Sequence, residues 1–147
     1  METLQIVCPQ CTQVNHIKNE VKQTSIACQE CSTPLDDTTP IDCSDDACRV
    51  HIEKNDIPVL IDFYSPDCAP CMKMAPEYEE AARSSALEVR YIKVNTLESP
   101  EVARQYGVNT LPTIIAFKKG QEVNRFSSAL PLKQLKMWAE SLIQMEI

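Results

Sequence analysis

Val59-Leu60-Ile61-Asp62-Phe63-Tyr64-Ser65-Pro66-Asp67-Cys68-Ala69-Pro70-Cys71 is the stretch on which the fold turns. With Ile57 and Pro58 before it, its first part is a short run of apolar and aromatic residues suited to a strand inside a sheet. A proline-marked turn then leads into a helix expected from Ala69 to Ser85. This context gives the Cys-x-x-Cys motif its chemical meaning, because unpaired N–H groups and the helix dipole at a helix start favour an anion. Cys68 is therefore expected to be the nucleophilic thiolate. Cys71, one turn further in, is expected to be the shielded resolving thiol that attacks a mixed disulfide.

Working outward, apolar runs alternate with helical segments, which is an α/β signature. A helix is expected around Asp45 to Lys54, with Ser44 or Asp45 as its N-cap. Strand Val89 to Val94 and a helix from Pro100 to Tyr106 follow, with Gly107 as C-cap. Strands Thr113 to Phe117 and Glu122 to Phe126 flank Lys118-Lys119-Gly120-Gln121 and are expected to pair antiparallel through a turn that needs positive φ. Leu132, Leu135, Trp138, Ala139, Leu142 and Ile143 recur at helical spacing and predict a last helix packed across the sheet. The sum is a mixed central sheet with helices on both faces.

The chain of 147 residues carries a net charge of −7 and eight cysteines, with 44% hydrophobic and 24% charged residues. No apolar run is long enough for a membrane span. The N-terminus, Met1 to Cys8, lacks the basic start and long apolar stretch of a cleaved export signal, so a cytoplasmic location is expected. The negative charge disfavours nucleic acid as a partner. Cysteines in a reducing compartment point to metal binding or redox chemistry.

Cys8-Pro9-Gln10-Cys11 and Cys28-Gln29-Glu30-Cys31 enclose 16 residues, within the range of a four-cysteine zinc ribbon. Two turns that each present a pair of thiolates complete a tetrahedron around Zn²⁺, and a closed set of four leaves no open position, so one structural zinc is expected. The metal would replace the core that so short a segment cannot build. Two disulfides or four free thiols are the alternatives. His16, between the pairs, is expected to be exposed rather than a ligand, and His51 to be surface or partly packed. Locally, Lys18 and Lys22 face Glu2, Glu20, Glu30, Asp36 and Asp37, which favours a protein-contact or stabilising role over nucleic-acid binding. The polar, proline-containing stretch from Ser32 to Pro40 places a boundary near residue 38, giving a module at 1–38 and a larger domain at 39–147. Cys43 and Cys48 are expected to be small buried side chains outside the site.

Residues 41 to 147 resemble the thioredoxin family. The segment Val59 to Pro66 is similar to the strand leading into that family's active site, and Met74-Ala75-Pro76 resembles its proline-kinked helix. Thr110-Leu111-Pro112-Thr113 is similar to its cis-proline loop, and Phe117 to Gly120 to its hairpin turn. With the four-cysteine module in front, the whole chain looks like the zinc-binding thioredoxin 2 type of bacteria. The resemblance implies that Asp62 is a buried carboxylate accepting the Cys71 proton through water, that Lys93 tunes it, and that Pro112 is the cis-proline beside the dithiol. It also implies a protein-disulfide reductase acting on oxidised proteins, kept reduced by an NADPH-dependent thioredoxin reductase, with no cofactor beyond zinc.

Departures fall on the face that would meet substrates. Asp67 stands where the family commonly has Trp, Ala69 where Gly is usual, Tyr64 replaces another aromatic, and a glycine expected near Ser128 is absent. A carboxylate beside Cys68 opposes the helix dipole. Asp67 is also the best support for a second function, a zinc-containing binding or chaperone-like adaptor with little redox turnover.

Overall fold

The computed structural model describes residues 3–18, 26–84 and 87–145. Eleven elements follow in order: β1 (Thr3–Val7), β2 (Val14–Lys18), β3 (Ile41–Asp42), α1 (Asp45–Lys54), β4 (Val59–Tyr64), α2 (Ala69–Arg83), β5 (Arg90–Asn95), α3 (Pro100–Gln105), β6 (Thr113–Lys118), β7 (Gln121–Phe126) and α4 (Leu132–Gln144). The expected α2 end at Ser85 lies outside the described residues.

The five-stranded sheet has the order β3-β5-β4-β6-β7. β3 and β4 run parallel to β5, whereas β6 is antiparallel to β4 and β7 antiparallel to β6. Every β4 residue is buried because the strand is central and both of its faces are covered. Its period-two alternation divides the core. Leu60 joins Tyr91, Ile114 and Ala116 beneath Met74 and Tyr78 of α2 and Leu135 and Trp138 of α4. Val59, Ile61 and Phe63 join Ile92, Val94, Ile115 and Phe117 on the other face, beneath Cys48 and Ile52 of α1 and Val102 of α3. The expected mixed sheet with helices on both faces is what the chain forms.

Local signals act where expected. Gly107 and Gly120 have φ of 66° and 83°, at the end of α3 and in the β6–β7 turn. Ser44 caps α1, accepting from Ala47 N at 3.1 Å. Asp45, the other candidate, instead accepts from Val102 N in the first turn of α3 at 2.8 Å, where Ser99 supplies no side-chain cap.

The N-terminal segment holds a β1–β2 hairpin and two cysteine turns of the same form. Cys8 N donates to Gln13 O and Thr12 N to Cys8 O; Cys28 N donates to Thr33 O and Ser32 N to Cys28 O, all at 2.8–3.1 Å. Thr12 and Ser32, each directly after the second cysteine of its pair, take φ of 65° and 67°. The hairpin packs against residues further along the chain. Ile6, Cys8, Ile17, Cys28 and Leu35 share one apolar cluster with Ile57 and Leu87. Asp56 N donates to Gln5 O and Gln5 N to Asp56 Oδ2.

That contact overturns the expectation for His51, which is fully buried rather than surface or partly packed. It shares the buried side of α1 with Cys48 and Ile52. Asn55 donates to His51 Nδ1 at 2.8 Å and accepts from Val7 N at 2.8 Å, so β1 closes over a face that α1 alone would leave open to water.

Candidate functional site

β4 and α2 position the Cys68–Cys71 pair. The chain leaves β4 at Tyr64, turns through Ser65 to Asp67, and enters α2 with Cys68 as its N-cap. Cys68 N donates to Ser65 O at 3.1 Å, which closes the turn. Cys68 Sγ accepts from Cys71 N at 3.2 Å, a direct contact between the sulfur and an orphan amide of the helix start. Pro70 sits in the first turn, where its missing N–H removes no helix bond. Cys68 and Cys71 form a disulfide, with Cα atoms 5.2 Å apart. Cys68 is half-exposed, while Cys71 is buried.

Asp62 lies two residues before the end of β4 and is 1% exposed, with Oδ1 unpartnered among the described residues. Burial pushes its carboxyl up to about 7; Lys93 pulls against that and Asp42 adds to it. The sheet register explains this grouping, because Lys93 is the partner of Asp62 in β4 and of Asp42 in β3. The Lys93 ammonium lies 4.6 Å from the centre of the Tyr64 ring, and the Tyr64 hydroxyl donates to Asp42. Asp42 was not legible as a member of this group, since its two-residue strand is too short to announce itself by periodicity.

The Leu111–Pro112 peptide is cis. Pro112 directly precedes β6, whose Thr113 pairs with Phe63, so the loop lies at the end of β4 from which the dithiol turn departs. Thr113 Oγ1 donates to Thr110 O at 2.7 Å and closes that loop.

The second centre is the four-cysteine cluster. The Sγ atoms of Cys8, Cys11, Cys28 and Cys31 all lie within 4.8 Å of one another, with Cys8–Cys31 at 3.6 Å and Cys11–Cys28 at 3.7 Å. A tetrahedron of sulfurs at the usual zinc–sulfur length has edges of about 3.8 Å, so the donor set fits one tetrahedral ion. Gln10 N and Cys11 N approach Cys8 Sγ at 3.3 and 3.5 Å, and Asn15 Nδ2 approaches Cys28 Sγ at 3.6 Å, donors of the kind that would stabilise thiolates around an ion. His16 is exposed and outside the cluster, as expected. Cys43 and Cys48 are buried in the α1 and α3 core, and desolvation drives both thiols upward, Cys43 to about 12.

The thioredoxin family's sequence model matches residues 40–141. The chain belongs to the thioredoxin family. It is a thiol–disulfide oxidoreductase with the thioredoxin fold. Similar proteins include Thioredoxin C-3 of Corynebacterium nephridii, 30% identical over 96% of this chain and 97% of that protein, a match that takes in the N-terminal module. Thioredoxin 1 of Nostoc sp. is 38% identical over 66% of this chain and 91% of that one. Among solved structures, a mutant thioredoxin from Halobacterium salinarum superimposes with a TM-score of 0.67 at 26% identity, covering 75% of this chain and 96% of that one. No helix among the described residues is long and apolar enough to cross a membrane.

Proposed function

We propose that this thioredoxin-family chain is a cytoplasmic protein-disulfide reductase working through Cys68-Ala69-Pro70-Cys71. The observation that carries this reading is the pairing of a half-exposed sulfur at a helix start with a buried one a single turn away. In the reduced protein the Cys68 thiolate attacks one sulfur of a substrate disulfide, forming a mixed disulfide and expelling the other sulfur as a thiolate. Cys71 then gives its proton through water to Asp62 and attacks Cys68 Sγ, which forms the Cys68–Cys71 disulfide and frees the second substrate thiolate. The substrate gains two electrons and leaves as two thiolates, which take up the proton passed to Asp62 and one more from water, and an NADPH-dependent thioredoxin reductase restores the dithiol. Lys93 tunes Asp62, and the cis-Pro112 loop presents backbone to the substrate beside the dithiol.

In the same reading the 1–38 module is a zinc ribbon joined to an oxidoreductase domain at 39–147, in the manner of the thioredoxin 2 type. Cys8, Cys11, Cys28 and Cys31 would hold one Zn²⁺ as a structural ion, because four thiolates fill a tetrahedral shell and leave no position for a reactant. Insulin reduction with wild type, Cys68→Ser and Cys71→Ser tests the reductase. Both variants are expected to lose turnover, and Cys71→Ser is expected to accumulate a mixed disulfide on Cys68. Turnover retained in either variant, or a wild type that binds insulin without reducing it, would reject the reductase in favour of an adaptor.

A further inference from the structure

Arg90 opens β5 and is 1% exposed, making it the largest of the fully buried side chains. A guanidinium stays protonated in proteins, and burying one without an anionic partner is strongly unfavourable. Among the described residues no carboxylate lies within 4 Å of it. It is met by carbonyl oxygens instead: Nη1 donates to Asp37 O at 2.9 Å, and Nη2 to Leu35 O at 3.0 Å and Val7 O at 3.5 Å, with Nε unpartnered.

Those carbonyls all belong to the four-cysteine module and the linker behind it. Val7 is followed directly by Cys8, and its own N–H is held by Asn55 Oδ1. The residue that delivers the first cysteine is thus gripped on both sides by the larger domain, and Cys8 itself is fully buried. Burial works against the charge on Arg90, and Cys8, Asp37, Cys43 and Asp36 work for it, Cys8 being the residue directly after the Val7 carbonyl that the guanidinium reaches. Four thiolates around one divalent cation carry a net charge of about −2. That anion, reached through the Val7 carbonyl, supplies a counter-charge to a buried cation that no carboxylate among the described residues pairs within 4 Å.

We propose that Arg90 is the buried counter-cation of the four-cysteine metal centre, so that metal occupancy of the module and stability of the oxidoreductase sheet are linked through this side chain. The inference rests on the reading that the cluster holds zinc. Linkage is reciprocal, so removing the cation weakens metal binding and removing the metal destabilises the strand that carries the cation. That strand also carries Lys93, three residues on.

The test is zinc affinity of the full chain, measured by competition with a chromogenic chelator, in wild type, Arg90→Met and Arg90→Lys. Arg90→Met is expected to bind zinc about tenfold more weakly, and Arg90→Lys, which keeps the charge, to recover most of that loss. Equal affinity in wild type and Arg90→Met, or a Lys variant no better than Met, would overturn the proposal. Should Arg90→Met fail to fold, hydrogen exchange of the β5 amides in wild type decides. Protection is expected to fall when zinc is chelated, and unchanged protection would overturn the proposal. A wild type that holds no zinc removes the zinc reading itself, whereas a zinc-loaded wild type matched by Arg90→Met removes only the role of Arg90.

Discussion

Lys93 stands opposite Asp62 in the β4–β5 register, yet among the described residues the two form no ion pair within 4 Å, and the ammonium lies over the Tyr64 ring. The carboxyl is left with burial as its dominant influence, which raises it from an ordinary 3.8 to about 7. Between those values the native state holds a proton that the unfolded chain has lost, so this group makes stability fall as pH rises. Asp62→Asn is expected to be more stable than wild type above pH 7, by on the order of 4 kcal/mol. Denaturant midpoints measured at acid and alkaline pH check this, and an unchanged alkaline midpoint refutes it.

The two charges that flank Asp62 act in opposite senses. Lys93→Met should raise the Asp62 titration and Asp42→Asn should lower it, because the cation favours the carboxylate and the second acid disfavours it. A carbon-13 NMR titration of the Asp62 carboxyl reads both. Movement in the same direction for the two variants would refute the electrostatic account.

His51 supplies the opposing pH dependence. Burial lowers its imidazole from 6.5 to about 3, so the unfolded chain takes up a proton in that interval and the native state does not. Stability is therefore lost as pH falls through it. His51→Gln is expected to lose about 2 kcal/mol less than wild type between pH 6.5 and 5. Since His51 and Asp62 largely cancel between pH 4 and 6.5, wild type should be nearly flat there, and Asp62→Asn should show the steeper acid loss. Stability curves for the three proteins that run parallel would contradict both assignments.

Asp67 is exposed and directly precedes Cys68. Its carboxylate works against the helix start that favours the Cys68 thiolate, so Asp67→Asn and Asp67→Trp should each raise the thiolate fraction at neutral pH a few-fold. Ultraviolet thiolate absorbance of the reduced proteins measures it. No increase in either variant counts against any influence of this charge.

Cys43 and Cys48 are buried thiols whose thiolates are strongly disfavoured. In the native reduced protein they should resist iodoacetamide while Cys68 is alkylated, and Cys43→Ala with Cys48→Ala should leave insulin reduction intact. Mass spectrometry of labelled peptides checks the first, and rapid labelling of either residue would show an unrecognised reactive pair.

The dithiol, the four-cysteine cluster and the alternation of strands and helices were legible because their signals are local. A Cys-x-x-Cys turn is closed by hydrogen bonds within six residues, as Cys8 to Gln13 and Cys28 to Thr33 show, and a helix start sits beside the residue it influences. Side-chain alternation in β4 likewise needs only the strand itself to sort Leu60 from Ile61.

Tertiary packing decided the fate of charged and polar groups. Nothing near Arg90 in the chain indicates that its guanidinium reaches carbonyls more than 50 residues away, or that β1 closes over His51. Asp42 joins Lys93 only because a two-residue strand docks at the edge of the sheet. The amino-acid sequence alone determined which elements form and which sulfurs come together, because those outcomes depend on neighbours along the chain. Which charges lose their water, and which partners then meet them, depends on surfaces brought together by folding, so the assembled structure alone settled it.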